Sequence, residues 1–484
     1  MHGLGGHDVD GELGNLTDIV EGVFSHPLTH SGSEHDMERI TRHHIEERVR
    51  SEIVASVDGA APNPANRARN DESGPELVAI AADIGDTKRG VGFGHATIVR
   101  WARPPVTIRT MTALLDAARD LFDQLDAEAA IAEEAGTPMT DRAVALCRDA
   151  GLYGTMIARD AGGAELSIGD SLDVFKELAR ADGSTGWVVM ASSSAAAYFS
   201  AWCPDSFVDD AFGGDQVPLV AGQFAPNGVA TPCGDSYHIT GSYNFGSGIE
   251  HAEWVGCGSF TAPDDGSPAD YVFALVPKHE ADISGNWDVL GLRATASYDY
   301  SIDSTVPTDR MFSFGAHTRH RGGPMYDLGV LCLTEVGHAG WVLGVLRRAI
   351  DEAAHIARTK QRMTGKTTLA DDPRFQHDLA MAESTLQSGE LWIRDAFGRA
   401  EQSVLDGNGP DPAADLDARQ ATTFLTQRAC RVVQDLYLHI GTTALRDGPF
   451  QRCFRDLHAG SQHAMVSPMH TYEFANRLLA GPEA

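Results

Sequence analysis

The hydrophobic period of this chain changes twice. From Met111 to about residue 212 apolar side chains recur at helical spacing, over 215–312 they alternate, and from about 325 the helical spacing returns. Alternation places every second side chain on one face of a strand, whereas a three-to-four spacing draws a stripe along a helix. Strands and helices are therefore segregated along the chain and do not alternate as strand–helix–strand units, which argues against a doubly wound parallel sheet. No Gly-x-Gly-x-x-Gly follows a strand, so a Rossmann nucleotide site is unsupported.

The first helical block carries a stripe of Leu115, Leu121, Leu125 and Ala129. Further helices are expected over Asp141 to Ala150, over Ile168 to Ala181, and over a Ser/Ala-rich apolar run from about Thr185 to Trp202. The alternating block contains four strand-like runs, Tyr237 to Phe245, Trp254 to Phe260, Tyr271 to Val276 and Tyr298 to Ile302, separated by Gly, Pro and Asp turns. The last block holds a helix from Trp341 to Arg358, one striped by Phe375, Leu379, Leu386, Ile393 and Phe397, and one striped by Leu425, Val432, Leu436 and Ile440, with 450–466 and 468–480 closing the chain. The pattern predicts an α+β chain with a helical domain over 111–212, a β barrel or sandwich over 213–315 and an antiparallel helical bundle over 325–484.

Residues 1–110 differ from the rest. They hold eight of the 20 histidines, with weak apolar periodicity and a Pro/Asn cluster at Pro62 to Asn66. Such a segment buries too little to offset its ordering entropy. It reads as a poorly patterned extension, and Met111 as the natural start. No Cys accompanies its histidines, and the one H-x-x-x-H spacing, His26 to His30, holds Pro27 and gives no clear helix, so no metal site is expected.

The formal net charge of −30 opposes a nucleic-acid or anionic-membrane partner, because neutralising phosphate takes Lys and Arg. Seven Cys lie at irregular spacing without a C-x-x-C pair, which suggests reduced thiols in the cytoplasm and neither a zinc site nor a disulfide framework. No apolar run approaches the ~20 residues of a membrane helix, and the N-terminus has no basic-then-apolar signal pattern.

Five stretches, in order, give the chain from about Met111 onward its resemblance. They are Asp149-Ala150-Gly151-Leu152 with Gly162-Gly163, Ala181-Asp182-Gly183-Ser184-Thr185-Gly186-Trp187, Phe245-Gly246-Ser247-Gly248-Ile249-Glu250-His251-Ala252, Trp287 to Ser297 with Val306-Pro307, and Arg455-Asp456 followed by His463. With these the chain resembles the acyl-CoA dehydrogenase superfamily, and within it the flavin-dependent monooxygenase branch that includes the oxygenase components of two-component aromatic hydroxylases. The resemblance implies an N-terminal helical domain, a central β domain and a C-terminal bundle, assembled as a homotetramer. It implies reduced flavin, FMNH2 or FADH2, supplied by a separate NAD(P)H-flavin reductase, with O2 as co-substrate and no metal. A C4a-hydroperoxyflavin would then pass one oxygen atom to an aromatic substrate, phenolic or polycyclic, or to an amine.

The same resemblance implies that Phe245, Gly246, Ser247 and Gly248 lie along the flavin, with Phe224 on an earlier flavin-facing strand. A flavin needs an apolar face, close backbone and a hydroxyl near its N5 edge. From the residues alone, this stretch is a strand ending in a glycine turn that Ser247 caps. His463 is the candidate acid–base group, since imidazole exchanges protons near neutral pH; the plainer reading is a helix His bonded to a carbonyl. Ser247 is the other candidate catalytic group. Trp187 walls the substrate pocket or packs in the core. Arg293 reaches the cofactor or forms a salt bridge. Arg358, Lys360, Arg362 and Lys366 hold a flavin phosphate or form a solvated helix end. Arg455 and Asp456 read as an ion pair that fixes the last helices.

One departure bears on the substrate. Several hydroxylases of this branch carry a second His about two turns after the Gly-Trp pair; here that place falls near Ser194-Ala195-Ala196, with no His, and Ser192, Ser193 and Ser194 offer only hydroxyls. Ser194 is taken as the pocket-facing hydroxyl. The competing reading is an FAD-dependent acyl-CoA dehydrogenase with a Glu base, but the nearest C-terminal candidate, Glu473 in Thr471-Tyr472-Glu473-Phe474, does not match that motif. A flavin- or partner-binding relative without catalysis is the third.

Overall fold

A computed structural model describes residues 111–480 except 264–266 and 363–364. The extension over 1–110 lies outside the described residues. The N-terminal helices are α1 (Met111–Asp120), α2 (Phe122–Ala135), α3 (Asp141–Asp149), α4 (Ile168–Ala181), α5 (Gly183–Trp202) and α6 (Asp205–Ala211). Local sequence sets their starts. Thr140 caps α3 by accepting from Ala143 N, Ser167 caps α4 through Asp170 N, and Asp182 caps α5 through Thr185 N. Each cap satisfies one of the N–H groups that a first helical turn leaves open.

Helix α5 is buried around nearly its whole circumference. A helix apolar or small on every face must sit in the core, and α5 packs against α4, the sheet and the C-terminal bundle.

The sheet comprises β1 (Val220–Cys233), β2 (Ser236–Gly246), β3 (Trp254–Thr261), β4 (Tyr271–Pro277), β5 (Ala281–Ile283), β6 (Tyr298–Pro307) and β7 (Met311–Ser313). It is one seven-stranded sheet in the order β5-β6-β2-β1-β3-β4-β7. Its β1–β3 pair is parallel and the other pairs are antiparallel. The alternation identifies β2, β3, β4 and the first half of β6. It misses β1 because Gly222, Pro226 and Gly228 interrupt the pattern, and the register with β3 shifts between Gln223 and Gly228. Proline cannot donate to a ladder and glycine has no side chain to pack, so bulged strands carry a weak signal.

The C-terminal bundle is α7 (Gly329–Thr359), α8 (Pro373–Leu405), α9 (Pro412–Ile440), α10 (Pro449–Gly460) and α11 (Pro468–Ala480). Asp372 caps α8 and Asp411 caps α9, each with Pro at the first helical position, where its missing N–H costs nothing. Helix α7 starts twelve residues before the expected Trp341. Its first turns carry Gly337, His338 and Gly340, which hide the stripe. The segment Pro324–Thr359 is long and apolar enough to cross a membrane, contrary to the reading of the sequence, but 78% of its most apolar window is buried inside the protein. Its apolarity is that of a core helix.

One hydrophobic core runs through α4, α5, the bundle and one face of the sheet, with Phe199, Phe273, Phe312, Trp341 and Leu346 among its members. A second core lies within the sheet around Ile239, Tyr243, Tyr300 and Ile302.

Candidate active site

Strand β2 ends in an unusual turn. Phe245 adopts φ +62°, a conformation costly for a bulky side chain; the residue is 59% exposed and its ring leans edge-on toward Trp287. Ser247 N donates to Phe245 O at 2.8 Å, which folds the chain back. Gly248 follows at φ +74°, where a Cβ would lie 2.7 Å from Val188 on α5. The glycine lets this turn press against the N-terminal helices.

Ser247 sits in a chain of hydroxyls with a fixed direction. Trp187 Nε1 donates to Ser247 Oγ at 3.1 Å, Ser247 Oγ lies 2.8 Å from Ser297 Oγ, and Ser297 Oγ lies 2.7 Å from Thr295 Oγ1. Thr295 commits its one hydrogen to Leu292 O at 2.8 Å. Ser297 must then donate to Thr295, and Ser247 to Ser297. What Ser247 retains for a ligand is a lone pair.

Trp187 is the pivot of the site. Its ring meets those of His338, Trp341 and His463 edge-to-face, with centroids 5.1, 5.0 and 5.4 Å away. Gly460, the last residue of α10, lets the two indoles close over it, since a Cβ there would lie 2.3 Å from Trp341. Beyond Gly460 the chain turns, and His463 Nδ1 accepts from Met465 N at 3.2 Å. An amide can only donate, so Nδ1 carries the lone pair and the neutral ring has its proton on Nε2.

Sequence reasoning missed His338. It lies on α7, 3% exposed, with its ring 4.3 Å from that of His463 and tilted by 34°. Burial, and next the neighbouring His463, push its pKa well below the usual imidazole value. Burial also lowers His463, although that residue as a whole remains open to water. Both rings are favoured neutral.

Several expected residues have other partners. Ser194 Oγ faces Met156 Sδ at 3.8 Å, Ser193 accepts from Met156 N and Ser192 from Val220 N, so the three serines tie α5 to its neighbours. Arg293 is paired with Glu133 at 2.9 Å. Phe224 stacks on Phe273 at 4.7 Å within an aromatic group that includes Tyr198 and Phe199. Lys360 is bonded to Ile440 O and Thr443, and Arg362 is paired with Asp372, so half of the basic cluster is engaged locally.

Arg455 and Asp456 do not pair with each other. Arg455 binds Glu133 at 2.7 Å, while Asp456 accepts from Leu292 N at 2.6 Å. Asp456 thereby anchors the loop that carries Thr295 and Ser297, where Leu292 and Ala296 hold φ +55° and +43°. Burial, and then the Asp182 carboxylate, push the Asp456 pKa up to about 7. No cluster of metal-ligating side chains occurs among the described residues, and all seven cysteines are free.

Two family models match in order: acyl-CoA dehydrogenase, N-terminal domain, over residues 109–204, and acyl-CoA dehydrogenase, C-terminal domain, over 336–468. Indole-3-acetate monooxygenase of Pseudomonas putida is 28% identical over 346 residues, covering 69% of this chain and 85% of that protein. The flavin-dependent monooxygenase oxygenase subunit HsaA of Rhodococcus jostii is 28% identical over 314 residues, covering 61% and 80%. The crystal structure of the HsaA monooxygenase from M. tuberculosis superposes with a TM-score of 0.71 at 24% identity, covering 77% of this chain and 98% of that one, a likeness of fold. Helical domain, mixed sheet and helical bundle define the class as the acyl-CoA dehydrogenase superfamily. Within it, the chain is similar to proteins named flavin-dependent monooxygenases.

Proposed function

We propose that this chain is the oxygenase component of a two-component flavin-dependent monooxygenase. It takes reduced flavin, FMNH2 or FADH2, from a separate NAD(P)H-flavin reductase, together with O2, and places one oxygen atom on an aromatic or amine substrate. Bound reduced flavin supplies the electrons that activate oxygen.

The observation that carries this reading is the direction of the Ser247 hydroxyl chain. Because Ser247 already receives Trp187 Nε1–H and gives its own hydrogen to Ser297, it keeps an acceptor at a partly exposed position. A ring N–H is its natural partner, which the N5 edge of reduced flavin has and oxidised flavin lacks. Phe245 supports the fit: an exposed aromatic held in a strained backbone supplies an apolar face for a flat ring, and Gly246 and Gly248 keep the backbone close. Neutral His463 offers its Nε2–H as a donor and keeps imidazolium charge out of the site. Trp187 excludes water beside it.

The acyl-CoA dehydrogenase reading needs a carboxylate base, and the groups around Trp187 are imidazoles. Glu473 is paired with Arg419 at 2.7 Å. A homotetramer is part of the proposal, supported by exposed apolar side chains on the bundle, Met381 and Leu391 on α8, Phe424 and Leu438 on α9, and Leu478 and Leu479 on α11. A cytoplasmic setting accords with the free cysteines.

The test is affinity for the two flavin redox states. Anaerobic titration should give tighter binding of reduced than of oxidised flavin, and Ser247→Ala should narrow the difference. Equal affinities in the wild-type chain would remove the main support.

A further inference from the structure

We propose that His338 is the second acid–base group of this site, the one that accepts a proton, and that the substrate brings a weakly acidic O–H or N–H to it. The proposal rests on the site being the flavin cleft described above.

The argument begins with a division of labour between two rings. His463 spends its Nδ1 lone pair on Met465 N–H, so in the neutral state it is only a donor toward the cleft. Ser247 offers a lone pair, but a neutral hydroxyl is a poor base. A site that must take a proton from its substrate therefore lacks a base unless another group supplies one. His338 supplies it. Among the described residues no hydrogen bond is made by either of its ring nitrogens, so a neutral ring presents one unused lone pair. Neither nitrogen is among the fully enclosed polar atoms lacking a partner, so the ring edge touches space of at least water size. Trp187 and His463 hold the ring from two sides.

The other ionisable groups on the elements packed there are held neutral or paired elsewhere. Glu335, one turn earlier on α7, is fully buried with neither oxygen hydrogen-bonded, and burial pushes its pKa well up, which favours the neutral acid. Asp182 and Asp456 repel each other and both lie by Arg452, with Asp456 on Leu292 N–H. Among titratable neighbours only His463 acts on His338. The step is a proton transfer: the X–H bond of the substrate breaks, the proton goes to the unused nitrogen of His338, and the electron pair stays on X. The anion left beside the ring offsets the burial that holds the pKa of free His338 down, and repulsion between adjacent imidazolium rings keeps His463 neutral, as the donor facing the anion.

The probe is para-nitrophenol, whose anion is yellow and whose acid is colourless, added to the full chain without flavin. The wild type should bind it and raise its anion-to-acid ratio above that in buffer at the same pH. His338→Gln should lower that ratio about tenfold or more, equivalent to one pKa unit, while His463→Gln should keep it raised. Equal ionisation by His338→Gln and the wild type overturns the proposal, as does a wild type that neither binds nor ionises the probe. If His338→Gln fails to fold, carbon-13 spectra of histidine-labelled wild type replace it. The His338 ring should become imidazolium on adding the probe, and an unchanged ring overturns the assignment. Failure of the flavin reading is a separate result, seen as equal affinity for the two flavin redox states.

Discussion

Trp187 Nε1 and Ser247 Oγ, 3.1 Å apart, join helix α5 to the end of β2 and fix the direction of every hydroxyl down to Leu292 O. Removing either partner has unequal costs. Ser247→Ala strands a nearly buried indole N–H and should destabilise by about 1–3 kcal/mol. Trp187→Phe keeps most of the ring packing and should cost about 1 kcal/mol at the hydrogen bond. The double variant should fall short of the sum, as expected for two groups in one network. Denaturant midpoints of the four proteins measure this.

Phe245 separates a ligand role from a folding role. The residue is 59% exposed, so Phe245→Ala should change stability by no more than about 0.5 kcal/mol. Reduced-flavin affinity should fall by about tenfold or more, since an aromatic platform contributes on the order of 1–3 kcal/mol. Thermal unfolding and anaerobic titration of the same sample give both numbers.

Acid should unfold the chain through His338. Its folded pKa lies below the unfolded value of about 6.5, so its contribution is complete above that pH and is lost as pH falls toward the folded value. Asp456 acts oppositely. Its folded value of about 7 lies above the usual carboxylate range, so its contribution is present in acid and lost as pH rises through about 7. Between about pH 4 and 6.5 the two oppose. His338→Gln should therefore flatten the rise of stability with pH, by at most about 1.4 kcal/mol per pH unit. Asp456→Asn, which keeps an acceptor for Leu292 N–H, should steepen it. Urea midpoints across that range decide.

Gly460→Ala should disturb the site from outside it. The added Cβ lies 2.3 Å from Trp341 and 3.1 Å from Trp187, so both indoles must shift, costing about 1–3 kcal/mol. A change in the near-ultraviolet circular dichroism of the tryptophans should accompany the loss.

The helices were readable because their stripes and caps are local. Asp411-Pro412 and Asp372-Pro373 announce helix starts within two residues. Strand β1 was not, because its bulge breaks the period on which strand recognition depends. At the site, the motif strings pointed to Ser247, Trp187 and His463, and these do come together. Which of Ser192, Ser193 and Ser194 faces a pocket was not legible, because successive serines on a helix point about 100° apart. On a helix buried all round, only the neighbours decide which one faces a cleft. Arg293 and Arg455 converge on Glu133, a pairing across two sequence gaps that no local pattern reveals. His338 carried no motif at all. On an apolar helix it reads as a core residue, and only the packing of α7 against the turn after α10 brings it to His463.

The central claim is that this site holds reduced flavin for reaction with oxygen. The direct measurement is anaerobic mixing of the full chain with FMNH2 or FADH2, followed by an oxygen pulse in a stopped-flow spectrometer. The account predicts a transient absorbance, distinct from oxidised flavin, that outlasts the reoxidation of free reduced flavin and is shortened in Ser247→Ala and His463→Ala. Reoxidation at the rate seen in buffer, with no transient, would contradict it.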